Sequence, residues 1–122
     1  MENATATELY ARACQQWREA VELDLHDSED IVSGILPLLV QGLRADPDHL
    51  ASLDLLSDML MEIGAYDEAA EFVEKMCDLQ PHDPECQRKL SALTGEAGNR
   101  RRAIRVYLHQ KRLRLTQDDA GC

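Results

Sequence analysis

The fold is decided by two stretches that follow one another at a fixed distance. The first reads Gly64-Ala-Tyr-Asp-Glu-Ala-Ala-Glu-Phe-Val-Glu-Lys-Met-Cys-Asp-Leu-Gln-Pro81. The second lies 34 residues later and reads Gly98-Asn-Arg-Arg-Arg-Ala-Ile-Arg-Val-Tyr-Leu-His-Gln-Lys-Arg-Leu-Arg-Leu115. Pro47 precedes Pro81 by the same 34 residues, which indicates a third copy. A period of this length is typical of stacked helix–turn–helix repeats.

Apolar residues recur at helical spacing along the chain, without the alternation of strands. Thr5 and Glu8 match a capping box, so they predict the start of the first helix, which is expected to run to about residue 24. The second helix is predicted to be capped by Asp27 or Ser28, and either to kink at Pro37 or to begin near Gly34. Four more helices are predicted over 49–63, 66–79, 84–96 and 100–115. Gly64 and Gly98 are expected to make the tight turns between helices.

The copies resemble tetratricopeptide repeats in the second half of each unit. The family's A-x3-F-then-P pattern is held in the middle copy by Ala69, Val73 and Pro81. In the last copy it is held by Ala103, Tyr107 and Leu115. The Trp, Gly and Tyr of the family's first half are replaced.

The resemblance implies an all-α fold, an α-solenoid of about three helix–turn–helix pairs. We expect a single domain over 1–117, with repeats at approximately 5–47, 48–81 and 84–115, followed by a disordered tail over 118–122. Ala69 and Ala103 are expected where two helices approach closely.

A narrower resemblance concerns the last third of the chain. Ala103-Ile-Arg-Val-Tyr107 followed by Arg112 is similar to the end of the bacterial transcriptional activation domain, itself an array of this type. The downstream segment of that family is not found here. The resemblance therefore implies the repeat fold and not DNA binding.

The charge is unevenly distributed along the chain. The net charge is −10, yet residues 1–99 hold 21 acidic and 6 basic side chains, and residues 100–114 hold 7 basic and no acidic ones. An acidic body repels nucleic acid and anionic lipid, so nucleic acid is disfavoured as a partner and no membrane is expected. The N-terminus has no signal-peptide pattern, and a cytoplasmic location is expected.

The first helix of each stacked pair is expected to line a concave groove. The predicted groove residues are Ala51, Asp54, Leu55, Asp58, Met61, Glu62, Arg88 and Lys89. Exposed Leu55 and Met61 between carboxylates favour a groove that binds a basic or amphipathic partner helix or peptide. The alternative is a solvated helix face.

Arg101, Arg102, Arg105 and Arg112 make the last helix basic. This helix could pair with the acidic face of its own chain or of a neighbouring copy, contact nucleic-acid phosphate, or lie free in solvent. Pairing with a neighbour would make the protein a homodimer.

No pattern of a catalytic or cofactor site occurs, so neither an enzyme nor a cofactor is expected. Cys77, His82 and Cys86 bracket one turn, but their spacing matches no four-ligand zinc pattern, and no metal is expected. The predicted function is that of a protein-interaction module, an adaptor or a chaperone-like protein. The alternatives are a structural unit that self-assembles through its basic last helix, or a protein that resembles the bacterial type III secretion chaperones.

Overall fold

Six α-helices make up the chain in a computed structural model that describes residues 4–117. They are α1 (Ala6–Glu22), α2 (Glu29–Ala45), α3 (Leu50–Glu62), α4 (Tyr66–Leu79), α5 (Pro84–Thr94) and α6 (Ala97–Gln117). No strand occurs over these residues, so the all-α prediction is confirmed. The tail predicted over 118–122 lies outside the described residues.

The helix starts follow from their capping residues. Thr5 caps α1, where its hydroxyl accepts a hydrogen bond from the backbone N–H of Glu8 at 3.1 Å. Ser28, one of the two predicted caps, accepts from the backbone N–H of Ile31. Asp83 caps α5, with Pro84 at the first helical position where its missing N–H costs nothing.

One predicted turn is wrong, and so is the alternative that the second helix starts near Gly34. Gly64 has a φ of +80° and ends α3 as expected, but Gly98 lies inside the first turn of α6. The turn before α6 is instead at Gly95, which follows α5 directly. The second helix begins at Glu29, and Pro37 lies within it without ending it.

Each helix packs against the next one along the chain, and the contacts are most extensive between α1 and α2 and between α3 and α4. Ala69 is fully buried, as its predicted place between two helices requires, whereas Ala103 is exposed and that expectation is wrong. Between α1 and α2, the close approach is at Gly42, where an added Cβ would lie 3.4 Å from the backbone of Ala6.

One core runs through all three pairs. Its fully buried members include Leu9, Val32, Leu39, Leu53, Met59, Val73 and Ile104. Burying one such side chain contributes about 1.5–3 kcal/mol, so the core is the main source of stability. Leu, Val, Ile and Met side chains fill most of this core, so few aromatic residues are needed to fill it.

The last helix departs from a plain stack. It contacts α1 and α3 as well as its own partner α5. A regular solenoid repeat contacts only its neighbours, so the contact of α6 with α1, in the first pair, is the departure. Here α6 crosses the face of α3 that the sequence predicts to be an open groove.

Candidate functional site

The predicted groove on α3 is largely occupied by the chain itself. Leu55 and Met61 are 7% and 1% exposed, so the expectation that they face solvent is wrong. Asp58 and Lys89 are also buried, whereas Ala51 stays exposed. The physical reason is that α1 and α6 both pack on α3, in addition to its neighbours α2 and α4.

Four charged groups meet where α3, α5 and α6 converge, and we call them the charge cluster: Asp54, Asp58, Lys89 and Lys111. The Lys89 ammonium lies 2.9 Å from Asp54 Oδ1 and 2.7 Å from Asp58 Oδ1. The Lys111 ammonium lies 2.6 Å from Asp54 Oδ2 and 3.3 Å from Asp58 Oδ2. Each lysine thus contacts both aspartates, and the cluster is electrically neutral.

Additional hydrogen bonds complete the charge cluster. Lys89 Nζ also donates to the backbone carbonyl of Asp54 at 3.0 Å, and the Tyr107 hydroxyl donates to Asp58 Oδ1 at 3.1 Å. The Tyr107 ring lies within 6 Å of both lysine ammonium groups, at 5.5 and 5.8 Å. Buried charges need such partners, because desolvation is costly when any of them is left unpaired.

A separate ion pair, between Arg112 of α6 and Glu62, joins the C-terminal end of α3 to α6. Arg112 Nη1 donates to both carboxylate oxygens of Glu62, at 2.6 Å to Oε1. The Glu62 side chain is only 6% exposed. Both ends of the acidic face of α3 are therefore held by basic residues of the same chain.

The pKa values of these carboxyls show which interaction prevails. Burial by itself would raise the pKa of Asp54, but the attraction of Lys89 and Lys111 outweighs it and lowers the pKa to about 2. At Glu62, burial is the larger effect, so the pKa is raised even though Arg112 pulls it down. The surroundings thus favour the ionised form of Asp54 and disfavour the ionised form of Glu62.

Part of the predicted groove remains open between α3 and α5, and we call it the α3–α5 cleft. It has a volume of about 220 Å³ and is lined by Leu50, Ala51, Asp54, Met76, Gln80, Asp83, Glu85, Cys86, Lys89 and Tyr107. Exposed Glu85 and half-buried Asp83 make its mouth acidic, and buried Met76 gives it an apolar wall. Three predicted groove residues, Ala51, Asp54 and Lys89, are brought together there.

The other predicted residues lie elsewhere. Arg88 is exposed on α5, and no ion pair includes it over the described part of the chain. Arg101, Arg102 and Arg105 are exposed on α6, and Arg101 and Arg105 border a separate cavity of about 200 Å³ beneath that helix. The fourth basic residue, Arg112, is half-buried by its contact with Glu62.

The cysteine-containing turn is not arranged as a metal centre. Cys77 and Cys86 are free thiols buried in the core. Burial, with Asp83 nearby, raises the pKa of Cys86 to about 11, so this thiol stays protonated and is a poor ligand. Across residues 4–117, no group of three or more His, Cys, Asp or Glu side chains is placed to hold a metal ion.

Sequence reasoning missed Tyr107 and Lys111 as partners of α3. A signal does exist, since Asp54 and Asp58 are four residues apart on one helix face and so demand a cation between them. The distance along the chain hides that cation, because Lys111 comes 57 residues after Asp54. The sequence pattern indicates the overall basic charge of α6, but it does not single out Lys111.

A scan against protein-family models finds no match for this chain, and searches of curated proteins and of solved structures find none either. No helix over residues 4–117 combines the length and the apolar character needed to cross a membrane.

Proposed function

We propose that this chain is a protein-interaction module of the adaptor or chaperone-like kind, without catalytic activity, and that it binds a partner segment at the α3–α5 cleft. The observation that carries the proposal is the composition of this cleft. Its mouth is acidic, its wall is apolar, and both α3 and α5 contribute to it. Such a site suits a basic side chain flanked by apolar ones.

The size of the cleft favours a side chain of a partner over a small-molecule substrate. Sites for small molecules usually measure about 300–1,000 Å³. The α3–α5 cleft, at about 220 Å³, has room for one or two side chains. A partner helix or peptide would therefore lie across the mouth and insert an anchor.

The contacts of α6 indicate the chemistry of that anchor. Lys111 reaches the carboxylates of α3 from α6, and Arg114 lies 3.2 Å from Glu85 at the rim of the cleft. The exposed Arg114–Glu85 pair is weak, since surface ion pairs contribute at most about 1 kcal/mol. A partner lysine or arginine could replace Arg114 at little cost.

A photo-crosslinking amino acid placed at Ala51 tests the proposal. Ala51 is exposed on α3 and lines the cleft, and Ala11 is an equally exposed alanine on α1 that serves as the matched control. We expect adducts from position 51, with cross-linked peptides that contain Lys or Arg, and few from position 11. An Ala51→Trp substitution fills the cleft and should abolish capture, whereas Ala11→Trp should not.

Equal adducts from both positions, or undiminished capture by the Ala51→Trp protein, would contradict the proposal. Circular dichroism of each variant shows whether the fold persists. Both alanines are exposed within helices, so a loss of helicity is not expected.

A further inference from the structure

Two helices present exposed stripes of opposite charge. On α4, Asp67, Glu71, Glu74 and Asp78 follow one another at helical spacing i, i+4, i+7 and i+11, and all four are exposed. With a rise of about 1.5 Å per residue, the stripe is about 16 Å long. No ion pair includes any of these four carboxylates within residues 4–117.

On α6, the outward stripe has the same spacing. Arg102, Val106, His109 and Leu113 stand at i, i+4, i+7 and i+11, and Arg105 flanks them. Val106 is 53% exposed and Leu113 is 42% exposed, although both are large apolar residues. Among the described residues, neither Arg102 nor Arg105 takes part in an ion pair.

Side chains of like charge are neighbours on both helices. Carboxylates three and four residues apart on α4 repel one another, which destabilises a helix, and Lys75 is the one cation among them. On α6, Arg102 and Arg105 are three residues apart and repel each other in the same way. An opposite charge brought from outside would relieve both helices.

We propose that the α6 stripe of one copy docks on the α4 stripe of a second copy of this chain. The matched spacing brings Arg102 and Arg105 against carboxylates of α4, and Val106 and Leu113 become covered. The occupant is a second copy because the same chain carries exposed carboxylates on α4 at the spacing of the α6 stripe, and the α6 end that holds Arg102 and Arg105 is opposite to them in charge. This contact uses neither the α3–α5 cleft nor the charge cluster, so it is independent of the proposed function.

Light scattering on the full chain, combined with charge reversal, tests the proposal. We expect the wild-type protein to be a dimer or larger at low ionic strength, and to dissociate as salt shortens the Debye length to about 3 Å near 1 M. The Glu71→Lys, Glu74→Lys variant and the Arg102→Glu, Arg105→Glu variant should each be monomeric, with association weakened at least about tenfold.

Mixing the two variants provides the decisive measurement. The reversed α4 of one variant faces the reversed α6 of the other, and the two unchanged stripes are also complementary, so the mixture should associate again. A Glu19→Lys, Glu22→Lys variant, at the exposed end of α1, changes the net charge as the Glu71→Lys, Glu74→Lys variant does. It should associate like the wild type. If the variants do not fold, as judged by circular dichroism, Glu71→Gln, Glu74→Gln is used and should also weaken association.

A wild-type protein that stays monomeric at low salt would overturn the proposal. So would reversed variants that associate as well as the wild type, or a mixture that stays monomeric. Since Ala51 is distant in sequence from both stripes and lies on α3, its cross-linking result is separate from all of these outcomes.

Discussion

Replacement of Lys89 by methionine should be among the most damaging single changes in this protein. The Lys89 side chain is 1% exposed, and its ammonium contacts both Asp54 and Asp58 within 3 Å. Methionine keeps the length of the side chain and removes only the charge and its donors. The charge cluster is then left with two carboxylates and one ammonium, and one of these carboxylates, that of Asp58, is only 8% exposed.

The size of the effect follows from that imbalance. Breaking a buried pair by removing one partner costs about 3–5 kcal/mol. For a domain of this size, that loss lowers the melting temperature by roughly 10–20 °C. Urea denaturation followed by circular dichroism at neutral pH measures it. Lys75→Met, at a half-buried lysine 3.6 Å from Asp48 on the surface, should cost less than about 1 kcal/mol.

A second substitution separates charge imbalance from lost packing. Asp58→Asn added to Lys89→Met removes one negative charge, leaves Asp54 with Lys111, and keeps an acceptor for Tyr107. We expect the double variant to regain at least half of the lost free energy of unfolding, since coupled neighbours are not additive. A Lys89→Met protein within about 1 kcal/mol of wild type, or a double variant as unstable as the sum of its parts, would refute this reasoning.

The remaining predictions concern acid, one hydroxyl and two glycines. Because the pKa of Asp54 is lowered from 3.8 to about 2, its ionisation contributes stability that is fully present above pH 4 and is lost as the pH falls through 2. After allowance for its partial exposure this contribution is about 1–2 kcal/mol, and the difference in urea midpoint between wild type and Asp54→Asn should shrink steadily from pH 4 to pH 2. Tyr107→Phe should cost about 1–3 kcal/mol in the same assay, because it removes a donor to the buried carboxylate of Asp58, and an unchanged midpoint would contradict that contact. Gly64→Ala should destabilise by about 1 kcal/mol because φ is +80° there, whereas Gly98→Ala, inside α6 with nothing within 4 Å of its Cβ position, should stabilise the protein by up to about 1 kcal/mol. Thermal melts in which Gly64→Ala has the higher melting temperature of the two variants would contradict the assigned turns.

The local part of the fold could be predicted from the sequence. The fourth helix was predicted over 66–79 and is observed over Tyr66–Leu79, because a positive-φ glycine precedes it and a proline follows it. The caps Thr5 and Asp83 act through contacts within three residues. Such signals lie close together in the chain, and a pattern of residues reports them directly.

The arrangement of the candidate site could be predicted only in part. A regular array predicts Leu55 and Met61 on the open side of α3, but α1 and α6 both pack on that helix, and a repeat pattern does not report such contacts. The segregation of acidic and basic residues indicated that the last helix could pair with its own chain. It could not indicate which residues meet, because Lys89 and Lys111 reach Asp54 from 35 and 57 residues away.

The crossing of α6 over α3 has a consequence for how the chain comes apart. An array whose repeats contact only their neighbours frays from its ends, one unit at a time. Here α6 cannot detach from α3 without removing Lys111 from Asp54 and Asp58. Glu62 would lose Arg112 in the same step. Amide protons of α6 and of α3 should therefore exchange with solvent in one concerted opening, rather than in order from the C-terminus inwards.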